Sequence, residues 1–284
     1  MILVTGAAGK TGKAVVKALV ARGQAVHAFV HRETHRGPLL ALGAKAVSIG
    51  ALDDADAIAL AAHGASAVYH ICPNVSPLEL SFARAVADGV MRAGTRRFIF
   101  HSVLHPQIEA MPHHWQKSRV EEMLFSSGLD VTVLQPTAYM QNILAGWQSI
   151  VTDGVYRVPY PAATRISLVD LDDVAQTAAT VTTGDGHIGA IYELVGTAPL
   201  SQHEVAEAIG TALGKKVRVE SETPDVWEAH ARASGMDDYQ RDTLAKMFRY
   251  YERYGLIGNP TVLTALLGHV PTTLAEFTKR AAAG

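Results

Sequence analysis

The chain has 284 residues, 48% of them hydrophobic, enough for one large α/β domain or a main domain with a smaller lobe. Its 25 basic and 27 acidic residues leave a formal charge of −2, so there is no electrostatic footprint for nucleic acid. A single cysteine, Cys72, excludes an internal disulfide framework, and no uncharged apolar run reaches membrane-spanning length.

The predicted elements begin at once. Residues 2–4 read as a strand, glycines at 6, 9 and 12 form a turn, and residues 13–21 continue as a helix. Met1 leads straight into that strand and leaves no room for a leader, so a cytoplasmic location is expected. Gly23 ends the helix, and residues 25–30 form the second strand. A short helix at 39–42 stops at Gly43, and 46–49 is the third strand. Asp53-Asp54 caps a helix to residue 62, and 67–71 is the fourth strand. A helix from 77 to 93, a strand at 97–100, a helix at 114–126 closed by Gly128, and a strand at 131–134 complete the first half. Apolar strands alternating with helices predict a parallel sheet covered on both faces.

After Pro136 the regularity loosens. A short helix at 139–150 precedes a turn at Asp153-Gly154, and 169–181 is again helical, with Asp170 or Asp172-Asp173 as its cap. A returning strand at 191–194, a helix at 203–213 between Ser201 and Gly214, and an edge strand at 217–219 follow. The tail at 224–283 is helical with a break at 255–260. The expected fold class is therefore α/β, a Rossmann-like parallel sheet with helices on both faces and a smaller C-terminal substrate lobe. The expected division puts 1–154 in the dinucleotide-binding domain, with 169–195 returning to it, and 155–168 and 196–284 in the lobe.

The strand-turn-helix at the start is suited to a dinucleotide pyrophosphate. Its backbone N–H groups and the positive end of the helix dipole favour an anion, and Gly6, Ala8, Gly9, Lys10, Thr11 and Gly12 are the expected contacts. At the tip of the second strand NAD-binding chains place an acid, but this chain reads His31-Arg32, with Glu33 one step late. A guanidinium there pairs with a 2′-phosphate, and Lys10 lies nearby, so NADP(H) is expected over NAD(H). Leu52 and Asp53 are candidates for the adenine, although Asp53 or Asp54 also serves as a helix cap. Cys72 and Pro73 leave the fourth strand where the backbone should run beside the cofactor, and Asn74 follows as a substrate contact.

Reductases of this architecture carry a proton donor four residues before a lysine on one helical face. Lys117 fits the lysine, a ligand for the nicotinamide ribose. The preceding position is His113, with His114 beside it and no tyrosine in the segment, so any protein acid would be a histidine. Glu121, four residues beyond Lys117, reads as a surface i,i+4 partner. Ser102 ends the fifth strand and is placed to orient a carbonyl or to bond to backbone. Tyr139, Asn142 and Trp147 follow Pro136 as substrate contacts. Tyr156 and Tyr160 suit either a flat acceptor or core packing. The thirteen histidines are scattered, and no metal is expected.

Several of these segments, in order, resemble the NmrA-like family of atypical short-chain dehydrogenase/reductases. They are Val4 through Gly12, Val30-His31-Arg32, His114-Trp115-Gln116-Lys117 with Glu121-Glu122, Thr132 through Pro136, Met140-Gln141-Asn142, Ile166 through Ala175, and Leu266 through Phe277. The resemblance implies an NADP-preferring Rossmann domain, with Gly6, Gly9 and Gly12 at the pyrophosphate, Arg32 at the 2′-phosphate and Lys117 near the nicotinamide. It also marks two departures. His113 stands where ordinary short-chain reductases have a tyrosine, and Gln135 where an arginine is common. The expected function is an NADPH-dependent oxidoreductase reducing a small quinone or conjugated carbonyl. The expected partner is a small-molecule substrate, without nucleic acid or membrane, and the chain is a monomer or a homodimer. The alternatives are a non-catalytic NADP(H)-sensing regulator with a protein partner, and an isomerase or dehydratase of the same fold.

Overall fold

The computed structural model describes residues 1–284. Contacts divide the chain into two compact units. The first comprises Met1–Gln107, His113–Gln135 and Val174–Tyr192, and the second Ile108–Pro112, Pro136–Asp173 and Glu193–Gly284.

The first unit is built on β1 (Ile2–Thr5), β2 (Val26–Val30), β3 (Ala46–Ile49), β4 (Ala67–His70), β5 (Arg97–His101) and β6 (Asp130–Pro136). Between them run α1 (Lys10–Ala21), α2 (Arg36–Ala41), α3 (Ala55–Ala62), α4 (Glu79–Arg92) and α5 (Pro112–Phe125). β10 (Ile191–Leu194) completes a seven-stranded sheet of order β10-β6-β5-β4-β1-β2-β3. The pairs from β3 to β6 are parallel, with Val4 opposite both Ala28 and Tyr69. The order reverses between β1 and β4, the crevice at which open α/β sheets bind ligands. Strand and helix side chains interdigitate in one core of Leu3, Phe29, Ile58, Val86, Phe98 and Val120 with their neighbours. At about 25 cal/mol per Å² of apolar surface, such fully buried side chains each stabilise the fold by roughly 1.5–3 kcal/mol.

The second unit holds β7 (Ala138–Tyr139), α6 (Trp147–Asp153), β8 (Val155–Val158), β9 (Leu168–Val169), the start of α7 (Leu171–Thr183), α8 (Gln202–Leu213), β11 (Arg218–Ser221), α9 (Pro224–Ala233), α10 (Asp238–Tyr254), α11 (Thr261–Leu267) and α12 (Leu274–Ala283). β7 pairs with β9 and β8 with β11, all in parallel. Buried Asp170 ties this unit together, accepting from Gln141 Nε2 at 2.7 Å, from the Asp172 N–H at 3.0 Å and from Arg280 of α12. No helix is long and apolar enough to cross a membrane.

Three boundaries differ from expectation. Residues 136–154 belong to the second unit, because the chain leaves the sheet at Pro136. The helix expected from residue 139 opens instead as β7 and a 3-10 turn at Met140–Gly146, because Ala138–Tyr139 pairs with Leu168–Val169. For the same reason Val169 is strand, and α7 starts beyond Asp170.

Candidate active site

The glycine turn is set by close backbone approach. Gly6 takes φ +62°, and a Cβ there would lie 2.5 Å from the Ile71 carbonyl oxygen. A Cβ on Gly12 would lie 2.3 Å from the Gly6 oxygen and 2.6 Å from the Ala7 Cα. Glycine is thus required for the first turn of α1 to sit on the loop. The N-cap of α1 is Gly9, which offers no side-chain acceptor, and the first turn has no acid. By contrast α3, α8 and α12 are capped by Asp54, Ser201 and Thr273. The free N–H groups of α1 form an anion cradle of the shape a pyrophosphate needs.

Beside the cradle, Lys10 and Arg32 are exposed, and neither side chain has a protein partner. Glu33 is held by Arg36, whose second donor reaches Glu33 Oε2 at 3.1 Å and whose third bonds the Val47 carbonyl at 2.7 Å. The acid that would repel a 2′-phosphate is thereby paired. Asp54, not Asp53, caps α3, with Ala57 N at 2.9 Å. Asp53 is exposed and Leu52 half-buried. Cys72 is buried, and burial pushes its thiol well above the ordinary cysteine range, which removes a nucleophilic role. Pro73 and Asn74 are exposed in the turn after β4. Val75 and His105, the two non-glycine residues with positive φ, follow the exits of β4 and β5.

The carboxyl ends of β4 and β5 carry a buried polar network. Thr5 Oγ1 bonds His70 Nδ1 at 2.7 Å, and Tyr69 Oη and His101 Nδ1 share a bond of 2.7 Å. Lys117 Nζ donates to Glu79 Oε1 at 2.7 Å and to the His101 carbonyl at 3.2 Å. Glu121 is no surface partner of Lys117. It is 8% exposed, and its carboxylate accepts the Ser102 hydroxyl and both contacts from Gln135 Nε2 at 3.0 Å. Burial raises the Glu121 carboxyl above the usual range, against the hydrogen bonds that lower it. Ser102 spends its only proton on Glu121, so it has none to offer a carbonyl substrate.

The two histidines at the start of α5 stack edge to face, ring centroids 4.5 Å apart. His114 Nδ1 lies 3.3 Å from the His105 carbonyl. Burial lowers His113 to about 2 and His114 to about 4, and nearby charge from Lys117 adds to the effect. Both are therefore neutral at pH 7 and hold no imidazolium proton to transfer. In the second unit Tyr139 and Trp147 are half-buried and Asn142 is exposed. Tyr156 bonds Gln202 at 3.0 Å, and Tyr160 packs on Phe248 and Tyr251 at 6.1 Å, so those two tyrosines are core. No group of acids, histidines and cysteine is arranged to hold a metal.

Glu79 escaped the sequence reading. Its signal is an acid in register with the buried stripe Ala83, Val86, Ala87 and Val90 of α4, where every other member is apolar.

Comparison with known proteins gives matches along the full chain. The sequence profile of the NmrA-like family matches residues 1–278. Quinone oxidoreductase 2 of Escherichia coli K12 is 28% identical over 280 residues, 97% of this chain and 96% of that one. An NAD(P)H azoreductase of Xenophilus azovorans is 27% identical over 285 residues, 100% and 98% of the two chains. The crystal structure of the E. coli NADPH-dependent quinone oxidoreductase complexed with NADPH superposes with a TM-score of 0.87 at 26% identity, covering 99% of both chains.

Proposed function

The chain belongs to the NmrA-like family, and we propose that it is an NADPH-dependent reductase of quinones, azo compounds or conjugated carbonyls. The observation that carries the proposal is the uncapped, acid-free N-terminus of α1 behind a turn that requires glycine at positions 6 and 12. It is supported by full-length likeness to a quinone oxidoreductase and an azoreductase. NADPH, when bound, supplies the hydride.

The chain's own groups have distinct tasks. The N–H groups of Lys10 through Gly12, with Ala8 and Gly9 lining the turn, hold the pyrophosphate, and Lys10 and Arg32 hold the 2′-phosphate. Leu52 and Asp53 border the adenine. Cys72 and Pro73 shape the backbone beside the ribose, and Lys117 directs an N–H to a ribose hydroxyl. Asn74 of the first unit, and separately Tyr139, Asn142 and Trp147 of the second, are the proposed acceptor contacts. His113 and His114 line the site as neutral rings. The proton that completes reduction comes from water, which a quinone tolerates because its own ring stabilises the reduced oxyanion. The proposed location is the cytoplasm.

The test titrates the protein with NADPH, NADH and their oxidised forms, then follows the reduced-nicotinamide absorbance with a panel of quinones, azo dyes and enones. Acceptor-dependent loss of absorbance with NADPH is expected. Tight binding without turnover on any acceptor would refute the reductase and favour a dinucleotide sensor. An absence of binding would refute the cofactor site itself.

A further inference from the structure

Lys117 and Glu79 form an ion pair in this site, in which Glu79 is buried and Lys117 largely covered, with side chains 4% and 16% exposed. The ammonium also lies 5.2 Å from the centroid of the Phe100 ring. Nothing in the cofactor motifs calls for a carboxylate at position 79. A buried acid among alanines and valines is costly unless paired, and a hydrophobic residue would fill the place at no electrostatic cost. Its position in the first turn of α4, which has no side-chain cap, lets the helix dipole favour the anion.

The geometry restricts what Lys117 can do. An ammonium has three N–H donors. Glu79 takes one and the His101 carbonyl another, so one remains. Those two anchors come from separate elements, α4 and β5, and fix Nζ at the carboxyl end of β5, the edge where this sheet class binds ligands.

We propose that Glu79 is the positioning residue of Lys117: it pins the ammonium to the exit of β5 so that a single N–H is left for a ribose hydroxyl of the bound dinucleotide. This rests on the cofactor reading given above. Glu79 also supplies the counter-charge in direct contact with the ammonium. From β4, His70 is neutral, lowered to about 3 by burial, and the Cys72 thiol is pushed up and uncharged. From β5, His101 is lowered to about 3. On α5 itself His113 and His114 are neutral, and Glu121 is engaged with Ser102 and Gln135. With Glu79 replaced by an amide, the ammonium loses its bonded anion, and the His101 carbonyl is the one anchor left to fix Nζ.

The experiment measures NADPH affinity by nicotinamide fluorescence at pH 7.5 for the wild type, E79Q, E79D, K117M and E79Q/K117M, with a thermal melt of each. E79Q should bind about tenfold more weakly than the wild type. E79D, one methylene shorter but still charged, should weaken binding less than E79Q, and it serves if E79Q does not fold. The double variant should bind no worse than K117M, because Glu79 acts only through the lysine. Wild-type affinity in E79Q, undiminished affinity in E79D, or losses that add in the double variant would each overturn the proposal while leaving the cofactor site standing. Failure of the wild type to bind NADPH would overturn both.

Discussion

Replacing Gly12 by alanine tests the cradle at its tightest point. The new Cβ would meet the Gly6 oxygen at 2.3 Å, where ordinary contact begins at 3.4 Å, so loop and helix must separate by about 1.1 Å. Overpacking of this kind costs about 1–3 kcal/mol, and alanine in a helix returns about 1 kcal/mol, so net destabilisation is roughly 0–2 kcal/mol. The effect on binding should be larger, because the N–H groups of the loop and of α1 no longer converge on one anion. Gly9→Ala is the control. Its Cβ would lie 3.5 Å from the Gly6 oxygen, so the backbone stays in place and only the methyl intrudes over the cradle. In a thermal melt, NADPH at a hundredfold its Kd adds about 2.7 kcal/mol to the wild type, several degrees in Tm. G12A should lose that shift while its ligand-free Tm falls modestly, and G9A should lose binding with little change in ligand-free Tm. A G12A protein with the wild-type Kd and ligand-induced shift would refute the reasoning.

Arg32→Ala should weaken NADPH binding by about 10- to 100-fold, the worth of one or two charge-assisted bonds, and leave NADH unchanged in the same fluorescence titration. An equal loss for both would remove Arg32 from the 2′-phosphate. The depressed His70, His101, His113 and His114 make the fold acid-sensitive. Between each lowered value and about 6.5 the unfolded chain binds more protons than the native one, so stability is full above about pH 6.5 and lost below it. That loss amounts to about 2 kcal/mol for each imidazole at pH 5, and identical urea midpoints at pH 5 and pH 7.5 would contradict it. Arg280→Ala removes the guanidinium from buried Asp170 but leaves the Gln141 and Asp172 donors. Because Arg280 is half-exposed, the expected cost is about 1–3 kcal/mol by chemical denaturation. A change below about 0.5 kcal/mol would show that the pair is ornamental.

What was legible in the sequence was local. Ala46–Ile49 and Ile191–Leu194 are found where expected, since each is a short β-prone run with breakers on both sides. Ser201 and Glu204 announce the capping box of α8 three residues apart. The glycine turn is legible for the same reason, its strand, glycines and helix start all lying within the first twelve residues. Non-local pairing was not. Residue 139 looks helical until Val169, thirty positions away, pairs with it. The chemistry end failed likewise. The i,i+4 rule assigns Glu121 to Lys117, but Lys117 finds Glu79 thirty-eight residues earlier, and Glu121 finds Ser102 and Gln135.

Those long-range pairings bear on which acceptors the chain suits. Apart from the one uncommitted N–H of Lys117, the groups near it that carry an exchangeable proton keep it or share it with a neighbour. The Ser102 proton goes to Glu121, Tyr69 and His101 share theirs, the Cys72 thiol resists ionisation, and two of the Lys117 donors are occupied. The histidines are neutral imidazoles with no acidic proton at pH 7. Gln135, standing where an arginine is common, satisfies Glu121 without adding a cation, so even the buried carboxyl lacks a positive neighbour in direct contact. A saturated ketone forms a strongly basic alkoxide on hydride addition and needs an acid in place at that moment. A quinone, whose product anion is spread over its ring, does not. The site's economy of protons therefore argues for acceptors that stabilise their own charge, and for turnover that falls steeply from quinones to simple ketones of the same size.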